Sequence, residues 1–326
     1  PRERLRTTMT ITTQGWTLDG LVVVASNFQR APSLDYRTDD LVAQVNKLLD
    51  DGIPVIVTGF NNNSNWDPCM FRQHRKHTSG KPLKLGRFFG YCNEVEPFAQ
   101  PKGTRSRPPA IVFLIYAIDR QRLVTTDMEP PPTCIEWLCS GETLPRDFLP
   151  LDNNDLLRHL PKKCRPVTLM CNYAMGDAYA SWYKDLCALV GQNLMVHAGE
   201  DTSAFWFMTG THDADRVSSY FHSQGQELDQ DEGPSFILPE RLANAPFTIF
   251  VCQQEVGDLV LFPPRSAQQF IAKGGLTGHI AWSRATFSAL ANGLYHELPI
   301  YNRVARPEKY RLKLSVYFAV RHYATL

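Results

Sequence analysis

From residue 110 onward the chain is a succession of short apolar runs punctuated by Gly, Pro, Asn and Asp: AIVFLIYAI, VTLMCNYA, NLMVHAG, AFWFMTG, FTIFVCQQ, DLVLFPP, QQFIAKG and GHIAWSR. Runs this short, and this rich in β-branched and aromatic residues, suit strands, because such side chains pack well on a pleated, half-buried surface. With no regular helices between them, they predict a mainly β chain with flanking helices (α+β), folded as an antiparallel sandwich or barrel.

Helical spacing appears at the edges of this pattern. In DDLVAQVNKLLDD, residues 39–51, Leu41, Val42, Val45, Leu48 and Leu49 share one face, with Asp39 or Asp40 as N-cap. Gly52 closes that helix and IPVIVTGF follows as a buried strand. Residues 285–297 and about 307–323 return to helical spacing. The stretch 224–233, GQELDQDEGP, reads as a mobile acidic loop.

A chain of 326 residues with 43% hydrophobic residues can bury a sizeable core, and a formal net charge of +1 gives no global electrostatic signature. Any nucleic-acid surface must therefore be local. Residues 71–107 supply one candidate: nine Lys and Arg, among them Arg72, Arg75, Lys76, Lys81, Lys84 and Arg87, stand against Glu94 and Glu96. Such a segment suits phosphate contacts that bind DNA without reading sequence; an acidic protein partner fits equally, and so does a solvated loop with no partner. The longest clean apolar run, IVFLIYAI, is far too short to cross a bilayer, so no membrane role is expected.

The eight cysteines are widely spread with no C-x-x-C pair, which predicts buried free thiols of an intracellular protein. Cys69, His74, His77 and Cys92 match no common zinc spacing, and their basic, Gly- and Pro-rich surroundings predict a surface loop. The opening PRERLRTTM lacks an initiator Met and an apolar core of a signal peptide, as an excised domain would.

The order of segments, a helix and GIPVIVTGF followed by a strand-rich half with GDLVLFPP, IAWSR and a closing helical stretch, resembles the JmjC family. That resemblance implies a double-stranded β-helix, a cupin-like JmjC barrel, over residues 38–300. Residues 1–37 would be an N-terminal extension packed on the barrel, 61–108 a basic loop insertion and 301–326 a C-terminal helical segment. Active members of the family are Fe(II)- and 2-oxoglutarate-dependent histone demethylases or hydroxylases. The likeness is to fungal JmjC proteins of chromatin, some of which limit heterochromatin spread, and it implies a nuclear location with chromatin proteins or histones as partners.

In that family a His-x-Asp/Glu pair and a distant second His hold iron, leaving positions open for 2-oxoglutarate and dioxygen. On the resemblance, Tyr183-Lys184-Asp185 stands in the first slot and Gln268 in the second. A phenol must lose a proton before it binds a cation, and a glutamine offers only an uncharged amide oxygen, so Tyr183, Asp185 and Gln268 form an all-oxygen set poorly matched to Fe(II). The cosubstrate side also departs from the family. Between Asp185 and Asp215 there is no Lys or Arg to pair the distal carboxylate, and Ala180 stands where many relatives place a Thr. Lys273, Lys184 and Arg284 are the cations left elsewhere, with no spacing argument for any of them.

The resemblance places Ala180, Trp182, Trp206, Lys273 and Ser283 around the pocket. The residues themselves predict an interior filled by Trp182, Tyr183, Phe205, Trp206 and Phe207, since aromatic packing stabilises a barrel without a cofactor. His212 with Asp215, and His197 with Glu200, are rival polar pairs best explained by turns. The expectation is a catalytically degenerate binding or scaffolding module of chromatin, with no cofactor and no metal. The alternatives are an Fe(II)/2-oxoglutarate-dependent histone lysine demethylase or hydroxylase with a non-standard ligand set, and a cupin-like domain with no chromatin role.

Overall fold

The computed structural model describes residues 11–60, 123–128, 130, 132–140, 143–226, 228, 236–303 and 310–325. The expected strand AIVFLIYAI, the basic segment with Arg72, Arg75, Lys76, Lys81, Lys84 and Arg87, the Cys69/His74/His77/Cys92 set and most of 224–233 lie outside those residues.

The strands are β1 (Phe28–Arg30), β2 (Ser33–Asp35), β3 (Val55–Thr58), β4 (Leu123–Met128), β5 (Met170–Met175), β6 (Tyr179–Lys184), β7 (Val190–Ala198), β8 (Ser203–Met208), β9 (Ile249–Gln254), β10 (Leu259–Phe262), β11 (Ala267–Lys273) and β12 (Leu276–Arg284). Among the described residues they form a five-stranded sheet in the order β1-β9-β8-β11-β6 and a seven-stranded sheet in the order β2-β3-β10-β7-β12-β5-β4. The eight apolar runs predicted as strands within the described residues, IPVIVTGF among them, all hold strands. Both sheets are mixed, because β1 runs parallel to β9 and β2 parallel to β3. The purely antiparallel expectation fails at those short strands, FQR and SLD, which carry no apolar run to announce them.

Period-two alternation sorts each strand between an inner and an outer layer. On β8, Ala204, Trp206 and Met208 join an inner cluster with Met195, Val260, Phe262 and Phe270 from both sheets. Phe205 and Phe207 point the other way, into an outer cluster with Trp182, Val217 and Phe221. That outer layer is covered by a helix, Ala214–Ser223, where the sequence predicted a turn around His212 and Asp215. Its amphipathic stripe, Ala214, Val217 and Phe221, is interrupted by Arg216, Ser218 and Ser219 and is short enough to be missed beside the Asp-rich start.

The helix Leu41–Asp50 buries Leu41, Val45 and Leu49 on the outer face of the larger sheet, each worth about 1.5–3 kcal/mol of removed apolar surface. Asp40 takes the N-cap position, as expected, but in a left-handed conformation (φ 55°) and without a side-chain hydrogen bond to the helix. At the C-terminal end, Phe287–Asn292 continues through a π-turn, Gly293–Glu297, into Leu298–Arg303, and Leu312–Tyr323 packs beside them. The described cysteines are free thiols, with Cys134, Cys171, Cys187 and Cys252 buried. No helix among the described residues is long and apolar enough to cross a membrane.

Candidate functional site

Between the sheets lies a cavity of about 860 Å³ walled by Tyr173, Trp206, Phe262, Phe270, His279 and Ser283, among others. The packed interior expected from the aromatic content is therefore not formed. Phe205, Phe207 and Trp182 belong to the outer layer, and Trp182 meets Phe221 in a tilted contact with ring centroids 5.7 Å apart. Trp206 alone of the buried aromatics expected to fill the interior faces the cavity, and Tyr183 lies at its rim, 37% exposed.

At one end of the cavity the chain leaves β6 through a tight turn, Leu186–Ala188, in which Cys187 (φ 61°) and Ala188 (φ 54°) both adopt the left-handed region. Such a turn persists only when its surroundings hold it. Here Cys187 N donates to Tyr301 Oη at 2.8 Å. The turn lays the Asp185 carboxylate directly over Gly191, where a Cβ would meet Asp185 Oδ2 at 2.1 Å. Ser283 pairs with Gly191 across β12 and β7, and its Oγ donates to Asp185 Oδ1 at 2.8 Å. Gln268, opposite Tyr183 in the β11–β6 register, donates from Nε2 to Asp185 Oδ2 at 2.8 Å.

Sequence-predicted Asp185 and Gln268 thus meet, but as a hydrogen-bonded pair. Gln268 turns its nitrogen to the carboxylate, and its Oε1 is buried without a partner. Protein atoms crowd the carboxylate, and this desolvation pushes its pKa up to about 6, against the opposing pull of the Ser283 and Gln268 hydrogen bonds. A carboxyl whose folded pKa lies above its unfolded value loses stability as pH rises between the two, here from about 4 to about 6. Asp185→Asn removes that ionisation, and a turned Gln268 amide then accepts from the new NH₂. Discounting for lost hydrogen-bond strength, the variant is expected to gain about 2 kcal/mol over wild type at pH 7.5 and almost nothing at pH 4, read by urea unfolding at both pH values.

The other end of the cavity is a fixed hydrogen-bond chain. Trp206 Nε1 donates to Gln254 Oε1 at 2.7 Å; Gln254 Nε2 donates to the Asn193 and Asp258 carbonyls at 2.9 and 3.0 Å and faces Asn193 Oδ1 at 3.2 Å. Asn193 Oδ1 in turn lies 2.9 Å from His279 Nδ1. His279 is 2% exposed, and burial lowers its pKa to about 3, so the ring is neutral.

The expected cavity residues Ala180, Trp206 and Ser283 line it. Lys273 does not: as the seventh residue of β11 it falls on the outer face with Trp182, where Nζ donates to the Trp16 carbonyl at 2.9 Å and sits 5.7 Å above the Phe205 ring. Lys184 reaches the cavity, but its Nζ pairs with buried Glu297 at 3.2 Å, and Glu297 also pairs with Arg265, which reaches exposed Asp215 at the surface. Arg284 donates to the backbone carbonyls of Asp147 and Asn154 on the far side of the larger sheet. Each cation considered for a dicarboxylate is held elsewhere. Among the described residues, no group of three or more His, Cys, Asp or Glu is placed to hold a metal ion.

The rival pairs also separate. His212 contacts the Asp51 carbonyl at 3.1 Å, whereas Asp215 accepts from Arg265. His197, the penultimate residue of β7, pairs with Gly278, and Glu200 sits in the following turn.

Asn193, His279 and Gly191 were missed from the sequence. The signal for His279 was present, because alternation along LTGHIAWSR puts it on the same face as Ala281 and Ser283. Gln254 had no local signal, since it is placed by the β8–β9 pairing.

No family model matches the chain. Over 168 residues it is 32% identical to C-module-binding factor A of Dictyostelium discoideum, a stretch covering 51% of this chain and 17% of that protein.

Proposed function

We propose that this chain is a double-stranded β-helix (cupin-like) domain of the JmjC kind that acts as a chromatin-associated binding or scaffolding module in the nucleus, without iron or 2-oxoglutarate chemistry. Two sheets enclosing a cavity support the cupin-like assignment, and the order of sequence segments supports the JmjC one. The observation that carries the loss of catalysis is Asp185, with one carboxylate oxygen accepting from Gln268 and the other from Ser283. Tyr183, Asp185 and Gln268 supply no imidazole nitrogen, and Gln268 presents a donor where a metal requires a lone pair. These residues do not fit ferrous iron, and the engaged cations Lys184, Lys273 and Arg284 do not fit a dicarboxylate.

The binding role draws on the relative, which is named as a binding factor, and on the +7 charge of residues 71–107. Chromatin proteins or histones are the proposed partners, with DNA engaged through that basic segment. Gel-shift titration on nucleosomes and free DNA tests this. Binding is expected to weaken steeply with salt, and changing Arg72, Arg75, Lys76 and Lys81 to Gln should lower the log–log salt slope by about 3 to 4. Absence of binding to histones, nucleosomes and DNA alike contradicts the proposal. The enzyme alternative, an Fe(II)/2-oxoglutarate-dependent histone lysine demethylase or hydroxylase, has the open cavity in its favour.

A further inference from the structure

The hydrogen-bond chain at the inner end of the cavity determines which nitrogen of His279 carries its proton. An indole N–H can only donate, so Gln254 must present its oxygen to Trp206 and its NH₂ to the other side. The Asn193 and Asp258 carbonyls, which can only accept, fix the same orientation. Asn193 must then turn its oxygen toward that NH₂, because its own NH₂ there would set donor against donor at 3.2 Å. Facing an acceptor at 2.9 Å, His279 Nδ1 is the protonated nitrogen. A neutral ring with a proton on Nδ1 has a bare lone pair on Nε2, and that atom is buried with no partner.

We propose that the inner end of the cavity binds a small uncharged molecule that donates an N–H or O–H hydrogen bond to His279 Nε2, its apolar body resting on Trp206, Phe262 and Phe270. Those rings lie 5.0–5.1 Å apart in tilted contact around Trp206, and Phe270 meets the His279 ring edge-on at 5.2 Å. A carboxylate would set its lone pairs against that of Nε2. The ring could answer only by taking up a proton that its burial opposes. Among the described residues lining the cavity the carboxylate is Asp185, tied to Ser283, which lies four residues along β12 from His279, about 13 Å at strand rise, so a cation at Nε2 would be desolvated without that partner. A neutral amide or hydroxyl satisfies the orphan without leaving a charge unpaired. This site uses the cavity described above but does not rest on the chromatin reading, and loss of one leaves the other standing.

Benzamide and benzoate are matched probes, alike in ring and size and opposite in donor capacity. Each is titrated into the whole chain while nitrogen NMR follows the histidine side chains. Before ligand, His279 is expected to show a protonated Nδ1 and a bare Nε2. Benzamide should bind and shift the Nε2 resonance, and benzoate should bind at least about tenfold more weakly. A His279→Leu variant should lose benzamide binding while retaining salt-dependent nucleosome binding, and the tautomer measurement on the wild-type chain decides the matter if that variant does not fold. A proton on Nε2, equal binding of the two probes, or no benzamide binding at millimolar concentration overturns the proposal.

Discussion

Between about pH 7 and pH 4, the stability that wild type holds over a His279→Leu variant is expected to fall by about 3 kcal/mol. The unfolded chain takes up a proton on this imidazole near 6.5, whereas the folded chain resists until about 3 because burial removes the charged form from water. Stability from a group with a depressed folded pKa is complete above its unfolded value and is lost as pH falls toward the folded one. Carried through to pH 3 and below, the full difference approaches about 5 kcal/mol. Asp185 acts in the opposite sense, since its raised pKa favours folding as pH falls from about 6 to about 4. The wild-type curve therefore conceals part of the histidine effect, and Asp185→Asn should expose it as a steeper acid limb. Urea midpoints across this range, for wild type and both variants, check the prediction. A pH-independent difference between wild type and His279→Leu would mean that His279 titrates alike in the folded and unfolded chains, as a solvated imidazole does.

Gly191→Ala is expected to destabilise the fold by about 4 kcal/mol and to empty the Asp185 seat. An added Cβ would lie 2.1 Å from Asp185 Oδ2 and 2.6 Å from its Cγ, too close for either to remain. The carboxylate cannot swing away freely, because Asp185 stands at the head of a turn fixed by Tyr301 and by Gly293, whose own Cβ would meet the Cys187 carbonyl at 2.6 Å. Overpacking of this kind costs about 1–3 kcal/mol, and the displaced carboxylate leaves Gln268 and Ser283 without their acceptor in the interior. The double variant Gly191→Ala, Asp185→Ala should recover much of the loss, since the clash and the stranded anion disappear together. Additive effects in that thermodynamic cycle would contradict the seat as described.

Much of this architecture was legible because a strand declares itself locally. VTLMCNYA, AFWFMTG and GHIAWSR are β-branched or aromatic runs with clear ends, and each is a strand. β1 and β2 are three-residue edge strands whose pairing is decided by where the chain passes, so FQR and SLD look like loop. Within the site, the resemblance set Asp185 beside Gln268, and the fold brings them within hydrogen-bonding distance. Which way each side chain faces depended on strand phase. Trp182 and Tyr183 are neighbours in sequence, yet one supports the outer layer and the other rims the cavity. Lys273 lies an odd number of residues from inward-facing Gln268, which was enough to exclude it from the cavity once β11 was known to be unbroken. The cavity itself was not legible, because aromatic composition reports how much volume is available and not which face of a sheet receives it.

We propose that the cavity in which Gln268 and Ser283 hold the Asp185 carboxylate does not take ferrous iron and 2-oxoglutarate. Thermal melting of the whole chain under anaerobic conditions, with saturating Fe(II) and 2-oxoglutarate together, tests it most directly. The midpoint is expected to stay unchanged within about one degree, since a ligand that does not bind the native state cannot stabilise it. A rise of several degrees that requires both components and disappears in Asp185→Ala would contradict it.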